Sequence, residues 1–205
     1  MSYRIVSAVY GWEHLQKGFL SSIRANTNAE VTLVEASEVF GQKLKHQIWA
    51  REAKKGGNVV LMDVDTIVLK DIGEVFDYDF DIGITVRSGK NWFNGGVVFV
   101  KPTQAAYDIL DLWAKKIHSK DQAKYKWETG HSGTAQPVFA WLYKHGKFNG
   151  TIREFPCSTY NCIQPWGNYR DASVIHVKSG LRKSLFSGKG HGDILNLIRP
   201  YYEGS

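Results

Sequence analysis

Asp63 and Asp65 stand one residue apart at the end of an apolar run, in "NVVLMDVDTIVLKDI" (58–72). A strand interior excludes charge, so carboxylates there mark a rim and not a core. On an extended chain, residues two apart point the same way, and the two carboxylates converge. Left alone they repel, and one takes up a proton. A divalent cation removes that conflict, and hard oxygen ligands suit magnesium or manganese. A turn carrying two solvated aspartates is the plain alternative.

The flanking elements say where that rim lies. "YRIVSAVYG" (3–11) reads as a buried strand, and Leu15, Phe19 and Ile23 give residues 13–25 a helical stripe. "EVTLVEA" (30–36) is a second strand. "GQKLKHQIWAREAKK" (41–55) is a helix that stops at Gly56-Gly57, and "NVVLM" (58–62) is a third strand. The order β-α-β-α-β implies a parallel sheet with helices on its faces. Ligands of such sheets bind at the carboxyl ends of the strands, where Asp63 and Asp65 stand. Later, "DIGITV" (81–86), "GGVVFVKP" (95–102), "TIREFP" (151–156) and "ASVIHVK" (172–178) read as strands. Residues 103–118 and 135–145 read as helices, Pro165-Trp166-Gly167 as a loop, and 193–202 as a short terminal helix or tail.

Composition fits this picture. The chain has 205 residues, 43% hydrophobic and 22% charged, which suits a soluble globular protein of one domain. Its net charge of +6 is spread along the chain and fits a phosphate-bearing ligand or nucleic acid. Cys157 and Cys162 have no second pair with which to build a zinc site. No apolar stretch reaches the length of a membrane span, and the N-terminus has no signal-peptide pattern, so a cytoplasmic protein is expected. Lys115, Lys116, Lys120, Lys124 and Lys126, with Tyr125 and Trp127, form the densest basic-aromatic stretch. A solvated lysine-rich loop is its plain reading.

Two resemblances sharpen the chemistry. "VVLMDVDTIV" is similar to the signature of the haloacid dehalogenase superfamily, which would make Asp63 a phosphoryl-accepting nucleophile and Asp65 its acid/base. That motif normally ends the first strand, and here two strand–helix units precede it. The chain as a whole resembles the metal-dependent GT-A glycosyltransferases, the glycogenin-like family 8 group above all. Three pieces in family order carry the likeness: "VVLMDVDTIVLKDIGEVF", "FNGGVVFVKPT" (93–103) and "VIHVKSGLRK" (174–183). The last is similar to a His-x-x-Gly-x-x-Lys segment with one extra residue between His and Gly.

That resemblance implies a single α/β GT-A domain over residues 1–205, with a mostly parallel central sheet and a tail from about 184. It implies transfer of a sugar from a nucleoside diphosphate sugar, UDP most commonly, to an acceptor. Asp65 and His176 would hold Mn²⁺ or Mg²⁺, and Asp63 would contact that metal or the ribose of the substrate. Ala8, Val9 and Tyr10 would receive the base, and Lys45 would reach the phosphates, with Lys43 and Arg51 near enough to compete. Asn94, Gly95 and Gly96 would line the sugar. Gly180 would let the backbone approach the diphosphate, and Lys183 would place a cation on it. Gln136 matches the second residue of a family Asp-Gln pair, but Ala135 stands where the Asp is expected. Glu128, His131 or Thr134 would then substitute, Glu128 and His131 as bases. Retention or inversion is left open, as is the acceptor: a saccharide, a lipid-linked sugar, or an anionic polymer such as nucleic acid. A nucleotide-sugar binder without turnover is the remaining alternative.

Overall fold

The computed structural model describes residues 2–10, 13–36, 41–163, 168–187 and 192–203, with the backbone alone at 41–43. The Lys43 side chain and the Pro165-Trp166-Gly167 loop lie outside the described residues. β1 (Tyr3–Val9), α1 (Glu13–Asn26), β2 (Glu30–Glu35), α2 (Gly41–Ala53) and β3 (Asn58–Met62) follow the expected alternation. Then come β4 (Thr66–Val68), a 3-10 turn (Gly73–Asp77), β5 (Ile82–Val86), β6 (Phe93–Val100) and α3 (Gln104–Ile117). α4 (Gln122–Thr129), α5 (Ala135–Lys144), β7 (Ile152–Pro156) and α6 (Cys157–Tyr160) lead to β8 (Val174–His176). The chain continues through α7 (Ser179–Ser187), α8 (Gly192–Ile198) and α9 (Pro200–Glu203).

The six-stranded sheet has the order β2-β1-β3-β6-β5-β7. β1 pairs in parallel with β2 and β3, and β5 with β7, while β6 runs antiparallel to both its neighbours. One reversed strand in an otherwise parallel sheet makes this a mixed α/β architecture, as expected. Strand alternation divides the core between two faces. Val59 and Leu61 face one side with Trp49, Trp113 and Phe139, while Val60 and Met62 face the other with Phe19, Phe76 and Phe99. Burial on both faces is why β3 reads as an unbroken apolar run.

A second, two-stranded sheet places the site. β4 pairs antiparallel with β8 in the register Thr66↔His176, Ile67↔Ile175, Val68↔Val174. The Val177 N–H donates to the Asp65 carbonyl at 2.7 Å, so His176 lies beside Asp65 although 111 residues separate them in sequence. Neither β4 nor this pairing is legible from residues 66–68 alone, because a three-residue strand carries no periodicity.

Two further expectations change. The stretch read as a tail from about 184 holds the end of α7 together with α8 and α9. Leu185, Ile194, Leu195 and Ile198 there form a third apolar cluster with Ile67, Ile175 and Leu181. Tyr202 lies so close over Gly18 of α1 that a Cβ at Gly18 would strike its ring. The lysine-rich stretch is not one loop: Lys115 and Lys116 end α3, Lys124 and Lys126 lie on α4, and Tyr125 of α4 is buried against Trp141 with ring centroids 5.1 Å apart. Trp127 stays exposed.

Candidate functional site

Residues 63–65 form a turn between β3 and β4, so the chain does not stay extended there. The carboxylates converge all the same, because the turn and β8 carry them to one imidazole. His176 Nε2 lies 2.9 Å from Asp65 Oδ1 and 3.7 Å from Asp63 Oδ2. One ligand atom from each of Asp63, Asp65 and His176 falls within 4.8 Å of the others. The Asp63 N–H donates to the Gly96 carbonyl at 2.8 Å, which ties the turn to β6.

His176 is fully buried, and its other nitrogen is fixed. Asn161 Nδ2 donates to Thr85 Oγ1 at 2.8 Å, and the Thr85 hydroxyl donates to the Asn94 carbonyl at 2.8 Å. The Asn161 Oδ1 is therefore an acceptor, 2.8 Å from His176 Nδ1. Nδ1 carries the proton, and the Nε2 lone pair faces two carboxylates. Burial pushes the His176 imidazole below its ordinary value, against the pull of Asp65, which disfavours a second proton. A neutral lone pair opposed to carboxylate oxygens is resolved by a cation among them. The donor set of two carboxylates and one imidazole, with a carbonyl orienting the imidazole, fits a hard or borderline dication.

Gly96 shows why no side chain is tolerated at that position. A Cβ there would run into His176 Cε1 and Nδ1. Its glycine makes room for the imidazole, whereas Gly95, whose Cβ would meet Phe93 at 3.4 Å, has ordinary space. Asn94 is buried, and its Oδ1 accepts the Gly96 N–H at 3.0 Å.

Cations surround the acids. Lys45 Nζ pairs with Asp63 Oδ1 at 2.6 Å and lies over the Trp49 ring at 4.3 Å. Arg182 pairs with Asp65 Oδ2, and its Nε donates to the Val177 carbonyl at 3.1 Å. Burial raises the Asp65 carboxyl, and the positive charges of Lys178 and Arg182 act against it to hold the group below the usual carboxylate range. The Tyr10 hydroxyl is pushed up to about 12, by burial first and then by Asp63 and Asp65.

Two cavities meet at these charges. One, of about 400 Å³, is lined by Ala8, Tyr10, Asp65 and Arg182 among others. The second, of about 380 Å³, includes His46, Arg87, Asn94, Gly95, Ala135 and Gln136. Lys45, Asp63, Lys178 and Ser179 line both, so they form the seam. The Trp113 indole N–H donates to the Ala135 carbonyl at 2.9 Å and fixes the start of α5 against the second cavity.

Of the residues singled out in the sequence, the structure gathers Ala8, Tyr10, Lys45, Asp63, Asp65, Asn94, Gly95, Gln136 and His176, with Gly96 behind His176. Val9 is buried in the sheet core. Gly180 and Lys183 are exposed and line neither cavity. The residues one position earlier, Ser179 and Arg182, do line the cavities. Ser179 has φ 45°, a left-handed conformation that favours glycine, and Arg182 reaches Asp65. Counted from His176 without an extra residue, Ser179 and Arg182 fall at the Gly and Lys positions of the His-x-x-Gly-x-x-Lys spacing.

The two expected bases lie elsewhere. His131 Nε2 accepts the Phe93 N–H at 3.2 Å, and its Nδ1 lies 3.1 Å from the Thr129 carbonyl, so both ring nitrogens are engaged in a buried place. Glu128 accepts from the Trp141 indole at 2.6 Å and lies 3.0 Å from His145 Nε2. Neither lines either of these two cavities. Sequence reasoning missed Asn161, Thr85, His46, Arg87, Lys178 and Arg182. Only the last two had a signal, as cations flanking His176 at spacings that reach its own face.

A family model described as a nucleotide-diphospho-sugar transferase matches residues 33–164. Among solved structures, the chain is similar to a glycosyltransferase involved in glycosylation of the major capsid of PBCV-1. There the identity is 15%, the TM-score 0.64, and the match covers 89% of this chain and 97% of that one. It is also similar to the glycosyltransferase GlyE of Streptococcus pneumoniae TIGR4, with 12% identity and a TM-score of 0.65. That match covers 100% of this chain and 62% of the other. At such identities the likeness is one of fold. No curated protein matches.

Proposed function

Because the chain belongs to the nucleotide-diphospho-sugar transferase family and is a glycosyltransferase, we propose that it moves a sugar from a UDP-sugar to an acceptor, with Mn²⁺ or Mg²⁺ held by Asp63, Asp65 and His176. The observation that carries this reading is the buried His176 Nε2 beside two carboxylates, of which Asp63 lines both cavities and Asp65 one. When bound, the metal supplies positive charge to the diphosphate as it leaves.

The chain's own residues divide the remaining work. Ala8 and Tyr10 offer a strand end and a ring to the base. Asn94 and Gln136 offer amides to the sugar hydroxyls, and Gly95 lets the sugar approach the backbone. Lys45 and Arg182 hold Asp63 and Asp65 in place. Lys178 has a different position. Its ammonium is buried at the seam with no hydrogen-bond or ion-pair partner among the described residues, and burial first of all pushes its pKa below the ordinary value. Asp63 and Asp65 act against that shift without pairing with the ammonium, and the departing diphosphate would bring a further anion to it. Lys178 is thus a candidate, besides Arg182, for the phosphate contact that the resemblance implied for Lys183. With Ala135 lacking a carboxylate, and with Glu128 and His131 engaged elsewhere, Thr134 is the member of the expected substitutes that lines the sugar-side cavity.

Thermal unfolding with UDP, GDP, CDP and ADP, each with and without Mn²⁺, tests the reading. A ligand at 100 times its dissociation constant adds about 2.7 kcal/mol of stability. One nucleotide should stabilise the protein only with metal, and Asp65→Asn should remove the effect. If no nucleotide shifts the transition under either metal, the proposal fails. Phosphate release from simple esters would then be the assay for the phosphatase alternative, which nothing in the family match favours.

A further inference from the structure

We infer that the protein docks on an anionic phospholipid bilayer through the exposed, lysine-rich face of α4, with Trp127 set among the headgroups. Charge is the first observation. Cations occur along the whole chain, but acids offset most of them elsewhere. Residues 112–148 hold seven lysines against two acids, Asp121 and Glu128, a net of +5 out of the chain's +6. Both acids are engaged. Glu128 accepts from the Trp141 indole, lies 3.0 Å from His145 Nε2 and sits 3.9 Å from Lys124. Asp121 accepts the Tyr125 hydroxyl at 3.5 Å. Lys124 alone of the seven lysines has an ion-pair partner among the described residues.

Trp127 is the second observation. It is 89% exposed, more than any other large hydrophobic side chain among the described residues. Tyr125, two residues earlier and on the opposite side of the helix, is buried, so Trp127 points out of the protein. Ala123 and Lys124 precede Trp127 by four and three residues and share its face, and Lys120 stands in the turn just before α4. An indole among lysines is the composition of a membrane-surface contact. The ring settles at the headgroup level, and the ammonium groups meet lipid phosphates.

α4 lines neither cavity, so nucleotide, sugar and metal do not account for it. A nucleic acid fits less well. A single strand needs several rings in succession along a groove. Here Tyr125 is buried, and Trp141 is held by Tyr125 and Glu128. The place of the patch also bears on the site. α4 ends at Gly130, with φ 66°, and residues 132–136 just beyond it line the sugar-side cavity. A bilayer held at α4 stands beside that loop. The docking does not depend on the transferase reading, and its test needs no nucleotide.

Sedimentation with vesicles tests it, using phosphatidylcholine alone against phosphatidylcholine with about 30% phosphatidylglycerol, in about 0.05 M and about 0.5 M salt. The wild type should pellet with the anionic vesicles only, and the higher salt should release it. A lysine at an anionic surface is worth about fivefold in affinity, so Lys120→Gln with Lys126→Gln should weaken binding about 10- to 30-fold. Trp127→Ala should weaken it about tenfold. Lys17→Gln with Lys70→Gln removes the same charge from exposed positions on α1 and after β4, and should change binding less than about twofold. All five side chains are exposed, and unchanged unfolding temperatures would verify that each variant keeps its fold. The inference is overturned if anionic vesicles fail to pellet the wild type at low salt, if Trp127→Ala binds as the wild type does, or if the Lys17 and Lys70 pair weakens binding as much as the α4 pair. Capture of a labelled single-stranded oligonucleotide but not of vesicles would also overturn it, and would give the patch to a nucleic acid.

Discussion

Asn161→Ala is expected to weaken metal-dependent nucleotide binding about 10- to 100-fold, although Asn161 lines neither cavity. The magnitude follows from the tautomer of His176. In the native chain, Asn161 Oδ1, 2.8 Å away, keeps the proton on Nδ1 and leaves the Nε2 lone pair toward Asp65 and Asp63. Without that acceptor a proton on Nδ1 has no partner in a fully buried place, and the imidazole gains by carrying the proton on Nε2. There it donates to Asp65 Oδ1 at 2.9 Å, a hydrogen bond to a charged group worth about 1.5–3 kcal/mol. That bond must be broken before a cation can use Nε2, and each 1.4 kcal/mol is a factor of ten. The assay is a Mn²⁺ titration of the nucleotide-induced rise in unfolding temperature. Asn161→Asp keeps an acceptor for Nδ1–H and is expected to hold the Mn²⁺ midpoint nearer the wild type. An unchanged midpoint in Asn161→Ala, in a protein that still folds, would refute the tautomer argument.

Other outcomes follow from the same geometry. Gly96→Ala drives a methyl group into the His176 ring, which has no room to retreat; about 1–3 kcal/mol of stability should be lost in urea unfolding, together with the metal response. Lys178→Met should lower kcat about 100-fold or more, whereas Lys183→Met, on an exposed side chain, should change it less than twofold; the reverse order would return the diphosphate role to Lys183. Ser179→Gly relieves a left-handed backbone and should leave folding stability unchanged or raise it by up to about 1 kcal/mol. Burial pushes the His131 imidazole below its ordinary value, so the unfolded chain takes the proton first. The stability this neutral ring contributes is present above about pH 6.5 and is lost as pH falls through the lower folded value. His131→Gln should flatten the loss of stability between pH 7.5 and 5 in metal-free urea titrations.

Much of this was local and therefore legible. An apolar run that ends in two aspartates sets β3 and a charged rim whatever surrounds it, because burial on both faces demands the run and excludes the charge. The helical stripe of Leu15, Phe19 and Ile23, and the stop at Gly56-Gly57, fix the first half of the fold by the same short-range rules. The Asp pair, His176 and the "FNGG" strand could be named as a set because their residue types carry the chemistry. What long-range pairing decides was not legible. The three-residue β4–β8 pairing sets His176 beside Asp65, with Ser179 and Arg182 in the cavity linings and Gly180 and Lys183 outside them. Asn161 sits unremarked between two cysteines and acquires a role only when the fold brings its amide between Thr85 and His176. His131 and Glu128 have the right chemistry for bases, but packing turns them to Phe93 and to Trp141. Residue type and spacing determine which groups are able to act; the side on which each one faces, and whether a partner already occupies it, is settled by contacts between segments far apart in the chain.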